Sequence, residues 1–276
     1  MFYPYDIAHM EFRTIVDIPA PSFRIEPQEE MLFVGSCFAD NIGKRFVQEM
    51  FRATVNPFGV MYNPASIYHT VMRTDCAPGV VVMTLGTNHV YRLIETGEIV
   101  DNCRKRPARL FQEEELSVEE CCDYLQKAVD ILVGRNSQVR VILTVSPIRY
   151  AKYGYHESQL SKATLLLAAD AMVRRNDCCC YFPAYEIVND ELRDYRFYKE
   201  DMLHPSEQAV EYIWQRLSEV YLSDAAKKFL AEWEPLRKAL AHRPFNADGE
   251  EYRRFINATR QKIEELRSRY PLMPEI

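Results

Sequence analysis

Three residue types in this chain can together carry out acyl transfer: a serine at a strand-to-helix turn, a histidine, and an aspartate three residues before that histidine. They are Ser36, His204 and Asp201. A serine hydroxyl is a poor nucleophile until a base removes its proton in the transition state. Histidine suits that task because its pKa lies near neutrality. A carboxylate on the other ring nitrogen fixes the tautomer and stabilises the imidazolium. The Asp201–His204 spacing allows this pairing if the segment turns, and Pro205 fixes the chain direction just beyond. An oxyanion would also need donors. The Ser36 N–H, the Gly59 N–H and the Asn88 side-chain amide are the candidates, each such donor being worth about 10²–10³ in kcat. His89 and Arg149 are candidates to touch substrate, and the Arg149 guanidinium fork suits a carboxylate or phosphate.

These residues matter only if the fold gathers them. Met31-Leu32-Phe33-Val34 is a short apolar run stopped by Gly35, and 40–50 carries Ile42, Phe46, Val47 and Met50 at helical spacing. Gly35-Ser36-Cys37 is therefore a strand-to-helix turn. Further strands are expected at 52–55, 80–85, 139–145 and 178–182, and helices at 118–132, 159–174 and 206–222. The segments 60–79 and 89–116 read as loops. Five short apolar strands alternating with helices predict a parallel sheet covered on both faces. Right-handed crossovers then give a flavodoxin-like, doubly wound α/β arrangement, taken in the order 2-1-3-4-5. In such sheets ligands bind beyond the carboxyl ends of the strands. Ser36, Gly59, Asn88, Arg149 and the pair Asp201 and His204 all follow a strand, so all should converge on one edge. Residues 1–222 are expected to form this domain. Residues 223–276 form a charged helical extension packed on it, whose stripe of Tyr252, Phe255, Ile256, Ile263 and Leu266 can also serve as a homodimer contact.

Composition narrows the function classes. The chain of 276 residues has a net charge of −6 and is 47% hydrophobic, ordinary for a globular protein and poorly suited to non-specific nucleic-acid binding. The cluster Arg104-Lys105-Arg106 is offset by acidic runs and reads as a solvated face. No stretch of 18 apolar residues exists, and Met1–Arg13 lacks the pattern of a signal peptide, so the expected location is the cytoplasm. The eight cysteines fall in adjacent runs, Cys121-Cys122 and Cys178-Cys179-Cys180, with no CxxC pair. They read as free core thiols, with no metal site. The double cysteine in particular lies on the apolar face of the 118–132 helix. Cys37, at a helix start, is a rival nucleophile in principle, and a thiol packed under the turn otherwise.

Phe33-Val34-Gly35-Ser36-Cys37-Phe38-Ala39 resembles the signature of the GSCFA domain family, a branch of the SGNH (GDSL-like) hydrolases. Asn56-Pro57-Phe58-Gly59, Thr84-Leu85-Gly86-Thr87, Asn102-Cys103, Ser146-Pro147-Ile148-Arg149 and the stretch from Asp201 to Ser206 are similar to that family as well, over residues 20 to 222. The resemblance implies a three-layer α/β/α sandwich. It implies Ser36 as the SGNH serine, Asp201 and His204 as the DxxH pair, Gly59 as the SGNH glycine and Asn88 as its asparagine. Two departures stand out. Gly86-Thr87-Asn88-His89 replaces the usual Gly-x-Asn-Asp, and Gly35-Ser36-Cys37 stands where many relatives carry Gly-Asp-Ser.

The activity expected is that of an acyl or acetyl esterase working through an acyl-Ser36 intermediate on a small-molecule or carbohydrate ester, with no cofactor, nucleic acid or membrane involved. An acyltransferase with the same residues, differing only in water exclusion and acceptor binding, is the nearest alternative. A non-catalytic binding module on the same fold is the third.

Overall fold

The computed structural model describes residues 12–244 and 249–276. The segment up to residue 11, including Pro4, lies outside the described residues. Five strands, β1 (Glu30–Gly35), β2 (Arg52–Val55), β3 (Val80–Leu85), β7 (Arg140–Val145) and β8 (Cys179–Tyr181), form one sheet in the order β2-β1-β3-β7-β8. Every pairing in it is parallel. In order of their appearance in the sheet-forming sequence this is 2-1-3-4-5, the flavodoxin-like arrangement expected above.

Alternation along the strands builds two cores. Met31, Phe33, Val80, Val82 and Ile142 face one side, where α1 (Cys37–Gln48) and α6 (Glu207–Tyr221) pack. Leu32, Val34, Val81, Met83, Val141 and Leu143 face the other, against α2 (Pro64–Arg73), α3 (Val118–Arg135) and α4 (Tyr155–Arg175). β3 is buried along its whole length, as a central strand covered on both faces must be. Three layers result. Cys121 and Cys122 are buried in the second core, and all eight cysteines are free.

The helices α7 (Asp224–Ala241) and α8 (Glu250–Arg269) extend the first core, contributing Phe229, Trp233, Ile263 and Leu266. The Trp233 indole N–H donates to the Gln48 carbonyl at 3.0 Å, fastening α7 to the end of α1. Of the apolar stripe on α8, Ile263 and Leu266 are buried whereas Phe255 is exposed. Among the described residues no helix is long and apolar enough to cross a membrane.

Two segments depart from their expected loops. Residues 64–73 form α2, started by Asn63, whose side chain accepts from Ser66 N, with Pro64 at the first helical position. Between β3 and α3 a small antiparallel sheet is inserted: β4 (His89–Leu93), β5 (Ile99–Val100) and β6 (Phe111–Glu115), in the order β5-β4-β6. β6, Phe-Gln-Glu-Glu-Glu, has no alternating apolar pattern because none of its residues is buried, and that is why it reads as loop.

Candidate active site

Ser36 caps α1. Its Oγ accepts from the Phe38 N–H at 3.2 Å and lies 3.2 Å from Thr84 Oγ1. The Ser36 N–H bonds to Thr84 as well, to the carbonyl at 3.1 Å and to Oγ1 at 3.0 Å. The turn itself is held by the loop after β2. The Asn56 amide oxygen accepts from Gly35 N at 2.9 Å, and Met61 N donates to the Gly35 carbonyl at 2.8 Å. Gly35 has φ +140°, and a Cβ there would lie 2.2 Å from the Thr84 carbonyl oxygen. Only glycine lets β1 and β3 approach this closely just ahead of the serine. The Asn56-Pro57-Phe58-Gly59 motif thus works as a clamp on the turn.

His204 arrives from the other side. Its Nδ1 lies 2.6 Å from Asp201 Oδ2. Asp201 Oδ1 meanwhile accepts from Leu203 N at 2.8 Å and His204 N at 3.0 Å. These backbone donors, and then the His204 ring, hold the Asp201 carboxyl down at about 2, so it is ionised at every working pH. With Nδ1 donating to a carboxylate, Nε2 presents its lone pair. Among the described residues Nε2 makes no hydrogen bond. Met202, in the middle of this turn, takes a left-handed φ of 58°, uncommon for a non-glycine residue. Arg149 holds the strained turn from outside. Its N–H donates to the Leu203 carbonyl and its guanidinium to the Met202 carbonyl, both at 3.1 Å. The guanidinium also lies over the rings of Tyr155 and Tyr198. Arg149 is therefore engaged with the His204 turn, where the sequence suggested a substrate contact.

The helices bring the two halves together. α1 and α6 lie on the same face of the sheet. Arg45 pairs with Glu211, and Phe46 packs edge-on against Trp214 with ring centroids 4.6 Å apart. Asn41 and Glu207, one turn earlier on each helix, border one surface groove. Both turns lie at the carboxyl edge of the sheet: Ser36 follows β1 directly, and Arg149, four residues beyond β7, bonds the Leu203 carbonyl. Ser36 Oγ bonds to its cap partners and Thr84, not to the imidazole.

Each of the three expected oxyanion donors is engaged within the fold. Besides Ser36 N–H on Thr84, Gly59 N–H donates to the Asn56 carbonyl at 2.8 Å, closing a turn in which Gly59 has φ +94°. The Asn88 amide donates to the Leu116 carbonyl at 2.8 Å, and its N–H to Ser161 Oγ at 3.0 Å. Asn88 is tied to the start of the small sheet because the chain continues directly into β4 at His89. His89 is itself nearly buried, stacked on Tyr153 with ring centroids 3.8 Å apart. Burial lowers its pKa, against the opposing pull of Glu115 and Glu113. It is a packed ring at the start of β4, held against Tyr153.

Two groups at Ser36 were not legible in sequence. A Cβ added to Gly86 would sit 2.7 Å from Tyr150 Oη and 3.3 Å from Ser36 Cβ, so the Tyr150 hydroxyl and Ser36 flank one point. Tyr150 Oη is buried and has no hydrogen-bond partner among the described residues. Burial pushes its pKa far up, so it stays a proton donor. The second is Lys162, inside α4 and 2% exposed, whose ammonium donates to the Gly86 carbonyl at 2.6 Å and the Ser146 carbonyl at 2.8 Å. It ties the chain leaving β3 to the chain leaving β7, directly behind the site. A lysine in mid-helix reads as solvated face, which is why nothing in the sequence marked it.

Burial lowers the Lys162 pKa from 10.5 to about 7, while the two carbonyls favour the ammonium and oppose the shift. A base whose folded pKa is depressed is protonated in the unfolded chain and neutral in the fold between those two values. There the unfolded state binds more protons, so stability rises with pH. Compared with Lys162→Met, the wild-type unfolding free energy in urea is expected to gain about 1–2 kcal/mol between pH 7 and pH 9. A difference constant across that window would show that the carbonyls keep the amine charged.

The comparisons follow the same ground. The model of the GSCFA family matches residues 30–78 and 76–217, and that of the GSCFA domain protein C-terminal domain matches residues 233–274. No curated protein matches the sequence. Similar solved structures include a chain from Streptococcus pneumonia, at 15% identity and TM-score 0.45, covering 71% of this chain and 84% of that one. An acetyl esterase mutant with acetate ion matches at 11% identity and TM-score 0.41, over 75% of this chain and 99% of that one. A carbohydrate esterase family 3 protein from Talaromyces cellulolyticus matches at 10% identity and TM-score 0.39, over 75% and 99%. The first model takes in every strand of the five-stranded sheet together with the Ser36 and His204 turns, and so the chain belongs to the GSCFA family.

Proposed function

We propose that this protein is an SGNH-type serine hydrolase that deacylates a small or carbohydrate ester through an acyl-Ser36 intermediate. The observation that carries the reading is the Asp201–His204 pair. Its Nδ1 is held on an ionised carboxylate, and Arg149 bonds its turn at the carboxyl edge of the sheet, the edge where Ser36 follows β1.

Ser36 is fully buried in its cap geometry. Acylation therefore begins with rotation of Oγ away from Phe38 N and Thr84 towards Nε2, as substrate displaces the groups around the turn. His204 Nε2 takes the Ser36 proton while Oγ bonds to the substrate carbonyl carbon. The tetrahedral oxyanion is met by Tyr150 Oη and by the Cys37 N–H at the start of α1, since the three other donors are engaged elsewhere. Collapse breaks the bond to the alcohol oxygen, which leaves with the proton from His204. Water then attacks the acyl carbon, giving its proton to His204. The acid departs and Ser36 recovers its proton. Every step uses side chains of this chain and water.

The deciding measurement is intact mass after treatment with a fluorophosphonate, alongside p-nitrophenyl acetate turnover. Wild type should gain one adduct, mapped to Ser36, and turn over the ester; Ser36→Ala should do neither. A wild-type protein that neither labels nor turns over leaves the reading without support.

A further inference from the structure

A cleft of about 450 Å³ lies between the 58–61 segment and the small antiparallel sheet. Its lining carries three guanidinium groups, Arg73, Arg104 and Arg106, together with His69, and a single carboxylate, Asp101. Asp101 is already engaged. It lies 2.7 Å from His69 Nδ1 and 2.6 Å from Arg73. Burial raises its pKa, but the His69 hydrogen bond and the His69 and Arg73 charges outweigh that and hold it low. Arg104 and Arg106 have no ion-pair partner among the described residues. The cleft therefore keeps about two unmatched positive charges in a protein whose net charge is −6.

The backbone presents those charges deliberately. Arg104 and Lys105 are successive non-glycine residues in the left-handed region, with φ of 49° and 57°. Each such residue costs on the order of 1 kcal/mol and persists where surrounding structure imposes it. The Asn102 side chain accepts from Arg104 N at 2.7 Å and holds the bend. Aromatic rings back the heads: Arg106 lies over Phe111 at 5.6 Å and Arg73 over Phe58 at 4.7 Å. Arg104, Lys105 and Arg106 are exposed, as the solvated-face reading expects, and Arg104 and Arg106 border the cleft. Acidic residues nearby in sequence do not neutralise them, because Glu113 and Glu114 of β6 pair with Lys152 and Arg92.

We propose that this cleft binds an anionic group of the substrate, a carboxylate or a phosphate, between Arg104 and Arg106. The inference rests on the hydrolase reading only for the word substrate. One wall of the cleft is the loop whose Met61 N–H holds the Gly35 carbonyl, so the cleft and the Ser36 turn share that loop. Guanidinium forks suit both anions. The substrate class is then an ester that carries a negative charge.

The test has two arms, both at low ionic strength because exposed charges are screened by salt. In the first, binding of succinate and of inorganic phosphate is measured by calorimetry on wild type and on Arg104→Gln/Arg106→Gln. Wild type should bind at least one of them, and the variant at least ten-fold more weakly; which anion binds tells carboxylate from phosphate. In the second, kcat/KM for mono-p-nitrophenyl succinate is divided by that for p-nitrophenyl acetate. The ratio should exceed one in wild type and fall at least ten-fold in the variant, with acetate turnover unchanged. Binding of neither anion, or a ratio the variant leaves alone, overturns the anion cleft even if Ser36 labels normally. Loss of Ser36 labelling with anion binding intact would instead overturn the hydrolase reading and leave the cleft standing.

Discussion

His204→Asn is expected to lower kcat/KM for p-nitrophenyl acetate on the order of 10⁴-fold or more, with the fold intact. In the proposed mechanism the imidazole takes the Ser36 proton and returns it to the leaving alcohol, and asparagine can do neither. It can still donate to Asp201, so the turn keeps its carboxylate contact. Stability should change little, because the His204 side chain is about one-third exposed and fills no core space. Asp201→Asn should be milder, on the order of 10²–10⁴-fold. Its side-chain oxygen can still accept from Leu203 N and His204 N and keep the turn. Yet an amide aimed at Nδ1 favours the tautomer whose Nε2 carries the proton, the wrong one for a base. Both variants are checked by steady-state kinetics beside urea unfolding. A His204→Asn protein within ten-fold of wild type would remove histidine from the mechanism.

The parts legible in sequence are those with a local physical cause. β3 is six residues, five of them apolar, bounded by Gly79 and Gly86, the pattern of a doubly covered strand. Gly35-Ser36 ends one apolar run and opens a helical period, so the turn could be placed within a residue, although α1 starts at Cys37 rather than at Asp40. The Asp201–His204 contact is local as well, three residues apart and closed by an Asx-type turn. What escaped depends on distant partners. Lys162 finds its carbonyls at Gly86 and Ser146, on two different strands' ends, and no spacing announces that. Asn88 looked like a donor to substrate because of the motif around it. Its amide is spent on Leu116, a contact that exists only because 89–115 folds into a sheet instead of a loop. His89 in place of an acid was the single visible sign of that difference.

Tyr150→Phe should separate stability from catalysis. The substitution removes one buried oxygen that has no partner in the fold. Burying a hydroxyl without a hydrogen bond costs about 1–3 kcal/mol, so its removal is expected to leave the urea midpoint unchanged or raise it. If the hydroxyl meets the oxyanion, the same change should lower kcat by about 10²–10³-fold and leave KM near its wild-type value, because the bond forms fully only in the transition state. A tyrosine that merely packs would show the opposite pattern, with equal activity and altered stability. Neighbouring groups favour the donor role. Lys162 Nζ lies 5.1 Å from the Tyr150 ring, and the Tyr62 ring meets it edge-on at 6.1 Å, so the phenol has little freedom to turn away from Gly86. Its raised pKa keeps the proton in place wherever His204 can act as a base. The pH profile of kcat should therefore keep its shape in Tyr150→Phe while its height falls. A changed shape would mean that Tyr150 acts by tuning His204, and an unchanged height would leave the oxyanion to the Cys37 N–H alone.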